Sequence, residues 1–379
     1  MKIELNFKSP IIVGSQKLKS NIIESDTVIK GSVVRAAFAN EILRNCVEFN
    51  DDEYNDGDIK RKNWVYFRDK AGCTSCSYKS ICQNFSNLKF SYFYPKGAEV
   101  IPLSSLICKN DDKHGFVDIL VDDISKGCKI CGQDSRVEFT SGLRSSSGDI
   151  KRLYKVKKSI STKCGINPYS KTSYDGKLYS LISLTATDPE NNSLIFTGTI
   201  DGITKEDLEN IDTLRVGAYT SVGYGKCTME IKQEKEDKLT IDDVKNFSKR
   251  FKENNQIHNK NNYIAIKFTG DCKLNFDFDE EEYIPTNEIK KIWERALELE
   301  ENISIEKVYT EIVNYRGYDS SLLSEDKREE SINLAQRGTV IVFSTDKDIK
   351  ELYDYLFFKK AFGLETENGF GAFEIYIGR

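Results

Sequence analysis

The chain has 379 residues, 39% of them hydrophobic, and its 55 Lys and Arg face 60 Asp and Glu, a net charge of −5 at pH 7. That length suits two domains that each bury a core, and the slightly acidic balance argues against a protein coated all over with nucleic acid. No apolar run approaches 18 residues, which leaves no candidate for a spanning helix, and two histidines (His114 and His258) are little material for histidine-driven acid–base catalysis.

The opening stretch IELNFKSPIIVG alternates like a strand and does not read as a signal peptide. From Asp26, DTVIKGSVVRAAFANEILRN reads as a loop entering a helix, with Gly31 at the turn and Ser32 as N-cap. Val33, Ala36, Ala37, Ile42 and Leu43 would form its apolar side. The first turn offers backbone amides beside Arg35, so Gly31, Ser32 and Arg35 are a candidate anion site. A capped helix with a surface arginine gives the same pattern.

Residues 46–135 are irregular and rich in cysteine. CTSCSYKSIC carries Cys73, Cys76 and Cys82; SSLICKNDDKHG carries Cys108 and His114; CKICG carries Cys128 and Cys131. Ten cysteines without an export signal point to reduced thiols and metal rather than disulfides. A CxxC turn aims two thiolates at one tetrahedral ion, and a second pair or a histidine completes it. These seven residues are the candidate ligands of structural Zn2+. One site with spare cysteines, and two sites drawing on Cys46, both fit the spacing, as do buried free thiols. Catalytic zinc fits less well, because no histidine and carboxylate cluster would complete an open site.

Residues 136–177 hold ten basic residues against three acidic ones, a net +7. Arg144, Arg152, Lys155, Lys157, Lys158 and Lys163 would line a phosphate backbone there, with Tyr154 and Tyr169 for stacking. A solvated loop with scattered lysines is the plainer reading. KLYSLISLTAT and SLIFTGTIDG alternate as strands, and ITKEDLENIDTLRVG is a short helix with Leu208 and Leu214 inward.

VGAYTSVGYGKC follows, with Gly217, Gly223 and Gly225 around Ala218, Thr220 and Ser221, and then the strand pattern TMEIKQ. A glycine loop feeding a strand lets the main chain approach a ligand, and its amides can cradle phosphate oxygens. The same arrangement returns at the end of the chain, where Gly369 and Gly371 precede AFEIYI. Two such loops, each closing half of the chain, suggest a duplicated domain. Between the halves lies a charged stretch, 236–260, read as linker or solvated helix. The second half runs strand (YIAIKFTGDCKLN), helix (NEIKKIWERALELEE), strand, strand (GTVIVFST), helix (DIKELYDYLFFKKAFG) and final strand, the ferredoxin-like order. Residues 277–306 are strongly acidic.

Together these features resemble the RAMP superfamily of CRISPR effector subunits, in particular its Csx-ten branch, the Cas-five-like subunit of type III-D complexes. VIKGSVVRAAFANEI resembles the family's entry motif. PLSSLICKNDD, HGFVDIL and CKICG resemble its cysteine-bearing insertion. GKLYSLISL with IFTGTI resembles its paired strands, and YRGYDSSLL, AQRGTVIVF and FGLETENGFGAFEI resemble its C-terminal block. The final loop differs in carrying Glu365, Thr366 and Glu367 where the family often has basic residues.

The expected fold is therefore α+β: a first ferredoxin-like (RRM-like) RAMP domain over 1–235 with a zinc-binding insertion at about 46–135, and a second over 261–379. In that arrangement an open sheet face or the glycine loop commonly meets RNA. The resemblance implies a non-catalytic, cytoplasmic scaffold that holds the 5′ repeat-derived end of crRNA. It would touch the large signalling subunit and RAMP backbone subunits, meeting target RNA only indirectly and no membrane. The alternatives are an endoribonuclease, with Asp26 as the one acid near the RNA path, and a zinc-containing interaction module without an RNA role.

Overall fold

The protein is described by a computed structural model covering residues 1–14, 17–19, 21–49, 54–56, 59–62, 64–67, 69–132, 135–148, 150–232, 239–275, 286–319, 321–323 and 327–378. It is a mixed α+β chain. Two compact units form, and neither is contiguous in sequence. The first comprises Met1–Lys96, Lys155–Glu234 and Arg316–Glu330; the second comprises Gly97–Tyr154, Lys235–Tyr315 and Ser331–Arg379.

In the first unit, the strands Lys2–Phe7, Lys89–Phe90, Ile195–Asp201 and Lys226–Lys232 form one antiparallel sheet. Across it they lie in the order fourth, first, third, second, with Thr213–Arg215 outside the fourth. Leu5 stands between Phe196 and Met229. Period-two alternation puts Ile3, Leu5 and Phe7 on the face that packs with the helix Gly31–Arg44. That helix buries Val34, Phe38 and Ile42, which are four residues apart and share one side. Of the expected apolar side, Ala37 and Ile42 are buried, Val33 and Leu43 are half-buried and Ala36 is exposed, so the observed side is rotated from it. Lys30 occupies the N-cap position without a side-chain cap bond, so Ser32 lies inside the helix.

The segment after Lys155 contributes an antiparallel hairpin, Lys158–Ile166 with Ser173–Leu184. At the base of its second strand, Ser180, Leu181 and Ile182 pair with the strand Ile22–Glu24, and Leu184 exchanges amide bonds with Ile11. Beyond that point both strands are largely exposed, making an arm.

In the second unit, Asn262–Phe268, Ser304–Tyr309, Val340–Thr345 and Phe373–Tyr376 form an antiparallel sheet with the same strand order. Helices Thr286–Ala296 and Ile349–Lys359 contribute Trp293, Leu352 and Leu356 to one face, against Ile264, Ile266 and Phe343. The other face is covered too. The stretch read as linker or solvated helix holds a helix, Ile241–Asn254, started by a reciprocal Thr240–Asp243 capping box. Its Phe247 and Phe251 pack with Leu120 on Tyr263, Ala265, Val340 and Val342. Residues 236–238 of that stretch, like 277–285 of the acidic run, lie outside the described residues.

Burial on both faces explains why six successive residues, Tyr263 to Phe268, are buried. It also removes the open sheet face expected for RNA in this unit. The cysteine-rich stretch divides at Gly97 for a related reason. Leu120 completes the second unit's core, Tyr376 donates its hydroxyl to Asp118, and Lys267 donates to the Val100 carbonyl at 3.4 Å.

Candidate functional site

The two glycine loops share one backbone scheme. In the first unit, the Val216 amide donates to the Gly225 carbonyl at 2.9 Å; in the second, Phe362 donates to Gly371 at 3.0 Å. Ala218 donates to Ile12 at 2.7 Å, and Leu364 to Lys273 at 2.8 Å. Gly225 donates to Pro10 at 2.8 Å, and Gly371 to Asp271 at 2.9 Å. A left-handed residue, Tyr219 (φ 58°) or Glu365 (φ 55°), leads each time into a short 3-10 turn, Thr220–Val222 or Thr366–Asn368. A left-handed glycine, Gly223 or Gly369, ends it.

This bonding assigns the glycines different work. A Cβ on Gly225 would strike the Val216 carbonyl, and one on Gly371 the Phe362 carbonyl. Their amides are engaged within the fold, so these glycines make the turn rather than offer amides outward. A Cβ on Gly223 would meet nothing within 4 Å, which places that glycine on the open side with the exposed Ser221.

The outward part of the first loop meets the arm. Tyr224 and Ser161 hydroxyls lie 3.4 Å apart. The Tyr219 and Tyr224 rings are 6.3 Å apart at 60°. Tyr179 stands across the hairpin from Lys163. Burial, then the phenols of Tyr179 and Tyr224, push the Tyr219 hydroxyl above its ordinary value of 10. Arg215 donates from Nη1 to the Thr220 carbonyl at 3.0 Å. Tyr179, Tyr219, Tyr224 and Arg215 were not singled out from the sequence; the interleaved tyrosines of VGAYTSVGYGK were a signal for Tyr219 and Tyr224, and nothing local marked the other two. At the arm's tip Tyr169 is 94% exposed, and Lys177 lies 4.8 Å from the Tyr174 ring centre.

The other candidates fall elsewhere. Arg35 donates to the carbonyls of Leu88 (2.9 Å), Phe85 (3.1 Å) and Ser86 (3.4 Å) and lies over the Phe85 and Phe90 rings. It ties the helix Gly31–Arg44 to the short turn Phe85–Asn87, beside the buried Gly31. Arg144 is 2% exposed and pairs with Glu99 at 2.7 Å, inside the second unit. Arg152 is exposed and Tyr154 half-buried, both in that unit. Lys155, Lys157 and Lys158 are exposed in the first; Lys157 reaches Asn191 at 3.0 Å and Lys158 reaches Glu24 at 2.5 Å. The Asp26 carboxylate accepts from the Thr27 amide at 2.6 Å and the Val28 amide at 3.3 Å, a loop-stiffening turn.

Four of the seven metal candidates converge. The ligand atoms of Cys108, His114, Cys128 and Cys131 all lie within 4.8 Å of one another. The Cys108 and Cys131 sulfurs are 3.9 Å apart, near the roughly 3.8 Å between two thiolates on one tetrahedral ion with 2.3 Å bonds. His114 Nδ1 lies 3.2 Å from Cys131 and 3.7 Å from Cys128. Its Nε2 faces the Asp111 carboxylate at 3.7 Å, beyond hydrogen-bond distance but on the side where an outer partner of a ligating imidazole sits. Burial pushes the Cys128 thiol up, but the amides of Cys131 and Ile130, then Cys108 and His114, overrule it and bring it to about 7. Three thiols and an imidazole fit a closed tetrahedral site. Cys73, Cys76 and Cys82 belong to the first unit and do not join this cluster. Cys76 and Cys82 pack against that unit's core.

The fold thus defines a class: two α+β units, each closed by the same glycine loop, with a thiol–imidazole knuckle in one. The RAMP superfamily matches residues 4–228, more than half of the sequence, and the chain belongs to that superfamily. No curated protein matches it. Among solved structures it is similar to a chain in the type III-B Cmr-beta complex bound to cognate target RNA and AMPPnP. That likeness has 12% identity and a TM-score of 0.43, and it covers 95% of this chain and 89% of the other. A second is to the same kind of complex bound to cognate target RNA, at 10% identity and TM-score 0.41, with the same 95% and 89% covered. A third is to a CRISPR associated protein Cas6, at 11% identity and TM-score 0.32, covering 99% of each.

Proposed function

We propose that the chain is a non-catalytic guide-RNA-binding subunit of a type III CRISPR effector complex, and that both units are ferredoxin-like. The observation that carries this reading is the duplicated glycine loop closing each sheet of a RAMP superfamily chain. In the first unit that loop adjoins an arm that carries three lysines, Lys163, Lys171 and Lys177, against one acid, Asp175. Such a surface binds a phosphate backbone with little sequence preference. The second loop carries Glu365 and Glu367 and fits RNA less well, so the RNA lies along the first unit. The finer assignment, a type III-D subunit of the Csx-ten kind holding the crRNA 5′ end, rests on the motif resemblance.

The Cys108–His114–Cys128–Cys131 set would hold structural Zn2+ and stiffen the knuckle. Ile124, Ile130 and Phe139 are exposed in the same 97–154 segment and suit contact with a neighbouring subunit. The carboxylate of Asp26 is held by two amides, which favours a scaffold over an endoribonuclease.

The test is to purify the chain alone and co-expressed with its neighbours and a repeat-spacer array, and to measure metal and nucleic acid. About one zinc per chain is expected, with a small RNA of repeat-derived 5′ end retained in the complex. An assembled complex without RNA overturns the reading.

A further inference from the structure

We infer that Tyr179, Tyr219 and Tyr224, where the first glycine loop meets the arm, form a stacking shelf for a nucleobase of single-stranded RNA. This rests on the RNA-binding reading and names how that site would hold its ligand.

The argument starts from the duplicated loop. Tyr219 adopts a left-handed backbone, which a bulky side chain rarely does. Glu365 holds the equivalent conformation in the second unit. The loop therefore needs a left-handed residue there but not an aromatic one. Glu365 is tied to Lys273 at 2.5 Å, whereas the Tyr219 ring faces Tyr224. At the next equivalent pair, Phe370 is 2% exposed and packs with Tyr315, whereas Tyr224 is half-buried with its hydroxyl at Ser161. One copy uses the two positions for a salt bridge and a core ring. The other presents both as tyrosines beside a third.

The neighbours suit a nucleotide. Lys163 lies directly across from Tyr179, and Ser161, which meets Tyr224, is on the same hairpin face. Arg215 is exposed and anchored to the loop through Thr220. A cation on either side of half-buried rings is the arrangement in which aromatic faces take bases and cations take the flanking phosphates.

The experiment uses the full chain and fluorescence anisotropy with two labelled probes, a 12-nucleotide oligouridylate and an abasic ribose-phosphate oligomer of the same length. The wild type should bind the oligouridylate roughly 5- to 150-fold more tightly, the range that stacking supplies per base. Tyr219→Asn tolerates the left-handed backbone and should lose much of that preference at unchanged melting temperature. Tyr219→Phe, which keeps a ring, should retain it. Equal binding of both probes by the wild type overturns the shelf and leaves phosphate-based RNA binding standing. Binding of neither overturns the shelf, while the RNA reading is decided by the assembled complex. A Tyr219→Asn protein that melts normally and keeps the full preference also overturns the shelf.

Discussion

Gly217 and Gly363 make the same close approach in two different units. A Cβ on Gly217 would strike the carbonyl oxygen of Ile12, and a Cβ on Gly363 would strike that of Lys273. Both have positive φ, 92° and 82°. Each is followed by a residue whose amide donates to that same carbonyl, Ala218 to Ile12 and Leu364 to Lys273. The equivalence extends through Tyr219 and Glu365 to Gly225 and Gly371, so the duplication is a matter of hydrogen bonding and not merely of glycine content.

Substitution at the close approaches should therefore unfold rather than disarm. Gly217→Ala and Gly363→Ala each combine left-handed strain with a backbone clash and should cost about 2–4 kcal/mol. Gly223→Ala adds its Cβ to open space and should cost only the strain, about 1 kcal/mol. Urea unfolding of the three variants checks the order. A Gly217→Ala protein as stable as Gly223→Ala would contradict it.

Arg35 should prove structural. Its guanidinium holds three carbonyls and two rings, so Arg35→Ala should lose about 2–4 kcal/mol of stability. RNA affinity per folded molecule should change less than twofold. Paired denaturation and filter-binding measurements decide, and a stable variant with tenfold weaker binding would restore the anion-site role.

Glu99 and Arg144 predict an acid transition. Burial alone would raise the Glu99 carboxyl, but Lys267, Arg144 and Lys151 hold it below its ordinary 4.5. A depressed carboxyl contributes stability above its unfolded pKa and loses it as pH falls through the folded one. Stability should thus decline below about pH 4.5. Glu99→Gln should flatten that limb and cost about 3–5 kcal/mol at pH 7, because Arg144 is left buried without its carboxylate. Asp118, held above its ordinary 3.8 by burial, works in the opposite sense. The comparison of Glu99→Gln with wild type across pH isolates the Glu99 part.

Metal stoichiometry should separate the cysteines. Cys108→Ser, Cys128→Ser and Cys131→Ser should each abolish tight binding of one ion, whereas Cys73→Ser and Cys76→Ser should leave it intact. Elemental analysis after dialysis reads this directly. Loss of an ion on changing Cys73 would show a second site.

Thiol labelling should follow burial. Burial pushes Cys227 up to about 12, and it raises Cys272 further. Both should resist iodoacetamide at pH 8 until the protein unfolds, while the exposed Cys164 reacts at once. Mass spectrometry of labelled peptides provides the measurement.

Local signals in the sequence determined much of this protein. Spacing and turn chemistry located the glycine loops, the strand Val340–Thr345, the helix Ile349–Lys359 and the CKICG knuckle. These features are written within a few residues of one another, so periodicity and turn preferences suffice to read them. Contacts made across many residues were not legible. The charge of Arg35 and Arg144 suggested a ligand, but only tertiary packing showed one holding carbonyls 50 residues away and the other buried against Glu99. The charge of Ile241–Asn254 pointed to linker or a solvated helix, whereas its Phe247 and Phe251 cover a sheet. Which four of seven metal candidates converge depended on where the chain crosses between units. A side chain's chemistry is fixed by its sequence, but its partner is fixed by which surfaces the fold brings together. That decided the site.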